Sequence, residues 1–196
     1  MTRLIIGLIF LTHLGFAQQT KPNSQWVKKI NTEKVYFTNQ DSMTYLLSSD
    51  KNQQTIFAFF HSEEDTIGID PGLSTDGRWR AIHLLKLLKP LQIQHFFSTP
   101  FRRNILTIQP LTDEMKKQVV YYDQADLNVL YKKLDVLFPK PVVLMIHQQT
   151  FQKIVQQLTG QTIDNKDNDS SPKRFFILQR TQDNQGNFYS LLYNIR

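Results

Sequence analysis

The sequence contains no cysteine. That absence excludes a disulfide framework, a thiolate metal site and a cysteine-linked lipid anchor. Only one apolar run approaches membrane-spanning length, at the amino terminus, and no internal repeat is visible. The basic residues form no stripe interleaved with aromatics. They are scattered as small pairs, Lys28-Lys29, Lys116-Lys117, Lys132-Lys133 and Lys173-Arg174, a pattern that points away from nucleic acid. The net charge of +6 reads as solvated faces with a mild attraction for anions. Asp164, Asp167 and Asp169 are spaced somewhat like a calcium loop, but the turn glycine and the bidentate glutamate are missing. That segment reads as a solvated loop.

What is present begins with a leader. Met1-Thr2-Arg3 is a short basic start, Leu4 to Phe16 is mostly apolar, and Gly15-Phe16-Ala17 supplies small residues before the polar Gln18-Gln19-Thr20. This is the pattern of a cleaved secretory signal. The run is shorter than the roughly 20 apolar residues of a spanning helix. The expectation is therefore an exported protein, periplasmic or secreted, soluble after cleavage and without a stable membrane anchor. Removing residues 1–17 leaves 179 residues, enough for one domain with a proper core.

Residues 18–54 are polar and weakly patterned, and read as a leader packed on the domain's rim. Within them Lys34–Thr38 suggests a short edge strand and Ser42–Ser49 a short helix. From residue 55 to 196 the rhythm is regular. Thr55–Phe60, Ile93–Ser98, Val119–Tyr122 and Pro141–His147 read as strands, two of them apolar throughout. Between them the patterning predicts a helix capped by Ser74 and ended by Pro90, with Trp79, Ile82, Leu85 and Leu88 as its buried stripe. A short helix over Phe101–Ile108, another over Ala125–Leu137 and a fourth over Gln149–Leu158, stopped by Gly160, complete the alternation. Phe175–Thr181 and Asn187–Asn194 form a closing hairpin. The fold class predicted is α/β: a three-layer α/β/α sandwich with a mostly parallel sheet and a carboxyl-terminal antiparallel hairpin.

Two apolar runs end in histidine, at His61 and His147, where open α/β sheets build their sites. A histidine can attack phosphorus and the resulting phosphohistidine be hydrolysed by water. The developing charge then needs fixed donors such as arginine forks, a second imidazole and helix amides. Arg103 and Gln148 each begin a helix after a strand and are placed for that work. Arg102 is adjacent but projects about 100° away. Arg78 and Arg80, which open the first long helix, are other candidate cations, each by default a solvated surface arginine.

The ordered motifs Phe60-His61-Ser62-Glu63, Asp70-Pro71-Gly72-Leu73-Ser74-Thr75-Asp76-Gly77, Ser98 to Arg103 with Asn104 and Thr107, and Ile146-His147 make the chain resemble the histidine phosphatase superfamily. This is the phosphoglycerate mutase-like fold, and the likeness is to its small exported bacterial branch. The resemblance implies His61 as nucleophile, Arg103 as phosphate clamp and His147 as a further donor. It implies a phosphorylated small molecule or other anionic ligand, and neither a metal nor an organic cofactor. Glu63 and Asp123 are the candidate proton donors. Two positions depart from the family: Phe60 stands where it has arginine, and Ile146 where it has glycine. Losing one preorganised donor costs about 10²–10³ in rate. Both changes together predict impaired or lost phosphomonoesterase activity, the alternative being an active phosphohydrolase working through a phosphohistidine at His61.

Overall fold

The apolar runs that end in histidine become neighbouring strands at the centre of one sheet. The computed structural model describes residues 26–45, 52–163 and 170–194. Its strands are β1 (Trp26–Ile30), β2 (Lys34–Phe37), β3 (Ser42–Thr44), β4 (Gln54–Phe59), β5 (His95–Ser98), β6 (Val119–Tyr121), β7 (Val142–Met145), β8 (Arg174–Arg180) and β9 (Gly186–Tyr193). The helices are α1 (Thr75–Leu88), α2 (Arg102–Met115), α3 (Leu127–Leu137) and α4 (Gln148–Thr159). The sheet order is β3-β2-β1-β9-β8-β4-β7-β5-β6. Every residue of β4 and β7 is buried, which is why both read as unbroken apolar runs. They pair in parallel, Phe57 opposite Val143 and Phe59 opposite Met145.

Two clusters of buried side chains sit on the two faces of the sheet. One packs Phe57, Phe59, Phe96, Val143 and Met145 against Leu84 and Leu88 of α1 and Ile108 and Leu111 of α2. The other packs Ile56, Ala58, Val142 and Leu144 against Leu130 and Leu134 of α3 and Phe151 and Ile154 of α4. The chain is thus the three-layer sandwich that the alternation of elements predicts. The block β4-β7-β5-β6 is parallel and the β8–β9 hairpin antiparallel.

Several local expectations need correction. The described part of the polar leader lies at the rim, but as strands of the sheet rather than as a segment packed on it: β1 pairs in parallel with β9, and β2, the short strand expected at Lys34–Thr38, and β3 continue the sheet in antiparallel pairings. With these strands, parallel and antiparallel pairings number four each among the described residues. Val27, Ile30, Val35 and Phe37 bury themselves in the α1–α2 cluster, and Asn31 Oδ1 accepts from the amides of Glu33 and Lys34 to form the turn. Ser42–Thr44 is a strand, not the start of a helix; residues 46–49 and the signal-like residues 1–17 lie outside the described ones.

Ser74 caps α1 as expected, its Oγ accepting from the Gly77 amide at 3.1 Å. The buried stripe of α1 is different, however: Arg80, Ala81, Leu84, Leu87 and Leu88 face inward, while Trp79 is 59% exposed. Steps of three fall behind the 3.6-residue turn, so Trp79 and Leu88 lie about 180° apart around the helix. Helix α2 runs on past Ile108 and through Pro110 to Met115, because Leu111 and Thr112 continue its buried face.

Candidate functional site

The order of connections reverses between β4 and β7, opening a crevice at their carboxyl ends. Phe60-His61 follows β4, Ile146-His147 follows β7, and Thr99 to Phe101 lead from β5 into α2. Side chains alternate across a sheet. Phe60 and Ile146 therefore enter the α3–α4 cluster, while the partners of His147 come from the strand β5 end and α2.

The His61 Nδ1 lies 2.9 Å from the carbonyl oxygen of Ser62. A carbonyl only accepts, so Nδ1 carries a proton, and in the neutral ring it is Nε2 that keeps the lone pair. The Ser62 amide donates to Thr107 Oγ1 at 2.9 Å, and that hydroxyl donates to the Arg103 carbonyl at 2.8 Å. Helix α2 therefore holds both the backbone beside His61 and the arginine.

His147 is 7% exposed. Thr99 Oγ1 donates to its Nε2 at 2.8 Å, and Asn104 Nδ2 donates to Thr99 Oγ1 at 2.7 Å and stands 3.2 Å from the same ring nitrogen. These donors fix Nε2 as the acceptor and leave the proton on Nδ1. The edge of the ring system meets Phe101 at 5.5 Å between centroids. Burial, then the charges of Arg103 and His61, bring its pKa down to about 4.

A consequence is measurable. The unfolded chain titrates this ring near the ordinary histidine value, so between about pH 6.5 and 4 it binds more protons than the folded protein. Stability is fully present above that window and falls as pH drops through it, by about 3 kcal/mol from this residue. In an NMR titration His147 should stay neutral at pH 5.5; a midpoint near 6.5 would refute the assignment.

Arg103 reaches the crevice mouth with its Nε 3.5 Å from Glu64 Oε2 and a terminal nitrogen 3.8 Å from Asp70 Oδ1. Its guanidinium lies over the Phe101 ring, 5.0 Å from the centroid. Asp70 also accepts from the Arg102 amide at 3.0 Å, which caps α2 in place of an N-cap side chain. The Arg102 side chain is exposed and runs alongside Gly72. Gln148 opens α4 directly after His147, with an exposed side chain.

The two candidate proton donors are engaged in other contacts. Glu63 is bound in a fork by Arg80, whose Nε lies 2.9 and 2.8 Å from its two oxygens. Burial raises the Glu63 carboxyl, but the Arg80 hydrogen bond and charge, a backbone bond and Lys173 outweigh it and hold the group below the usual range. A carboxylate held ionised is poorly suited to donate a proton. Asp123 is exposed, and its Oδ1 accepts from the Ala125 amide in a turn; Asp126, not Asp123, caps α3. Arg80 itself, expected on the surface, is 1% exposed.

The departures at Phe60 and Ile146 are absorbed by the core. Phe60 is 3% exposed and meets Phe151 and Phe176 edge-on at 5.3 and 5.5 Å. Ile146 is fully buried in the same cluster. Sequence reasoning saw Asp70, Thr99, Asn104 and Thr107 only as motif positions, and Arg80 only as a candidate cation, not as the partner of Glu63. Among the described residues no cluster of three or more His, Asp or Glu side chains could hold a metal ion. No helix among them is long and apolar enough to cross a membrane.

No family model matches the sequence, and no curated protein does. Solved structures do. The protein histidine phosphatase SixA in complex with tungstate is 15% identical with a TM-score of 0.60, covering 71% of this chain and 97% of its own. A putative phosphohistidine phosphatase SixA from Nakamurella multipartitia is 16% identical with a TM-score of 0.54, covering 71% of this chain and 94% of its own. A mycobacterial glucosyl-3-phosphoglycerate phosphatase in complex with inorganic phosphate is 13% identical with a TM-score of 0.53, covering 72% of this chain and 97% of its own. The chain has the fold of these phosphatases.

Proposed function

We propose that this chain is an exported protein of the histidine phosphatase type. Its crevice binds the phosphoryl group of a small phosphorylated molecule, or another anion, through Arg103, His61 and the Nδ1–H of His147. Its phosphomonoesterase activity is impaired or lost. The observation that carries this reading is the burial of the Phe60 ring against Phe151 and Phe176, which leaves position 60 with no group to offer the crevice. Arg103 is then the cation at the mouth, shared with Glu64 and Asp70. The fold likeness supports an anion site, because two of the matched structures hold tungstate or phosphate. Export rests on the pattern of residues 1–17 alone.

The second reading, an active phosphohydrolase, is favoured by the His61 tautomer. Nε2 attacks phosphorus, a P–N bond forms, and the P–O bond to the leaving group breaks. The leaving oxygen takes a proton from water, because Glu63 is held ionised by Arg80 and does not supply one. Water then cleaves the P–N bond, releasing phosphate and restoring the imidazole.

One experiment separates the readings. The exported protein, its intact mass showing a start at Gln18, is assayed on p-nitrophenyl phosphate and for acid-labile phosphohistidine, beside His61→Ala. The impaired reading expects turnover far below the ordinary range of about 1–10³ per second. Turnover within that range, abolished in His61→Ala, establishes the active enzyme instead. Tungstate binding, expected to weaken about 100-fold in Arg103→Gln, tests the anion site in either case; no binding by wild type sinks both readings.

A further inference from the structure

The short segment that carries His61 has few anchors. Strand β4 ends at Phe59, so residues 61–63 gain nothing from its pairing. The Ser62 amide rests on Thr107, and the Glu63 carbonyl accepts from the Ser74 amide at 2.9 Å and from Ser74 Oγ at 3.2 Å. The third anchor is a side chain: Arg80, from the inner face of α1, holds both Glu63 oxygens. The same guanidinium donates to the Tyr193 carbonyl at 3.2 Å and lies over the Tyr193 ring, 5.4 Å from its centroid.

An arginine on the buried face of a helix is an expensive way to gain stability, since packed apolar residues commonly do as well. What the ion pair supplies is orientation. A planar fork on a carboxylate fixes its plane and distance together, which a lysine ammonium does not. Arg80 is fixed in turn by Tyr193 at the end of β9. The Glu63 carboxylate is thereby tied to the frame of the sheet, two residues from the imidazole.

We propose that Arg80 is a positioning residue for His61: its fork on Glu63 sets the course of the 61–63 segment, and so the direction in which Nε2 meets a phosphoryl group. The proposal rests on the reading of the crevice as a phosphoryl site. It also accounts for Glu63 without a proton-transfer role. Displacements of about 1 Å at a reacting group can cost 10²-fold in rate, so a segment with three anchors is sensitive to the loss of one.

The test compares wild type with Arg80→Lys, which keeps the charge and removes the fork, and with Glu63→Gln, which keeps an acceptor and removes the charge. Three quantities are read: the melting temperature, the ¹⁵N and ¹H signals of the His61 ring, and the rate of phosphohistidine formation from p-nitrophenyl phosphate alongside the dissociation constant for tungstate. In Arg80→Lys the His61 ring signals should move. Phosphorylation should slow about 10- to 100-fold while tungstate affinity stays within about threefold, since Arg103 and His147 are untouched. Glu63→Gln should fall between. A lower melting temperature with unchanged ring signals and an unchanged rate would make the pair merely structural and overturn the proposal. Should wild type form no phosphohistidine, the active reading fails on that control, and the His61 signals alone decide the clamp: a shift supports it, their constancy overturns it. Should Arg80→Lys not fold, Glu63→Gln decides by the same signals.

Discussion

Phe60→Arg is expected to destabilise the protein by about 3–5 kcal/mol and to bring no gain in turnover. The resembled motif suggests the opposite, because the substitution places an arginine before His61. The direction of the side chain decides. Phe60 lies on the α3–α4 face, 3% exposed, with Phe151 and Phe176 against its edges. An arginine that kept this course would bury a guanidinium among phenyl rings, with no carboxylate in the cluster to meet it. One that swung toward the crevice would abandon a cavity the size of a phenyl group, between Phe151, Phe176 and Ile146. Either route draws on a total stability of about 5–15 kcal/mol. Urea denaturation measures the loss, with Phe60→Leu as the volume control at about 1–2 kcal/mol. Wild-type stability together with strong phosphatase activity in Phe60→Arg would show that position 60 does reach the crevice.

Ile146 belongs to the same argument. Phe59 pairs opposite Met145, and the Ile146 amide donates to the Phe59 carbonyl at 2.8 Å, so residues 60 and 146 follow side by side on one face. Where the resembled motif carries arginine and glycine, this chain has two apolar side chains that share a cluster. The two positions therefore form one packing unit, and a substitution at either is felt by the other.

What could be read from sequence was local. Strands β4 and β7 announce themselves because both faces are buried and the runs Ile56–Phe59 and Val142–Met145 are apolar throughout, and Ser74 and Gly160 mark helix ends by chemistry that acts within a few residues. The strand-end placement of His61 and His147 followed from the same runs. Facts about direction across space could not be read. The inward turn of Arg80 depends on Glu63 arriving from β4, seventeen residues earlier. Strand β1 finds its partner at the far end of the chain, in β9, and only that pairing makes a polar stretch part of the sheet. Asp123 and Asp126 are equivalent as cap signals, and the structure gives the cap to the second. Ring direction at Phe60 was invisible because a motif fixes which residue precedes the nucleophile, not which face it occupies.

Gly77→Ala should lower stability by about 2–3 kcal/mol and disturb the crevice, although alanine is the better helix former by about 1 kcal/mol. A Cβ at Gly77 would stand 2.1 Å from the Glu63 carbonyl oxygen, 3.0 Å from its carbonyl carbon and 3.1 Å from its nitrogen. These are backbone atoms, so no side-chain rotation relieves the contact. Either α1 withdraws from the sheet, opening the cluster around Leu84 and Leu88, or Glu63 retreats and takes the 61–63 segment with it. The second course breaks the Ser74 bonds to the Glu63 carbonyl and loosens the Arg80 fork. The sign is the diagnostic: an ordinary helical glycine exchanged for alanine stabilises, and this one should not. Denaturation measures the loss, and the His61 ring signals show whether the segment has moved. A variant at least as stable as wild type, with those signals in place, would mean that α1 does not press on the backbone beside His61, and the segment would be held by the Thr107, Ser74 and Arg80 bonds alone.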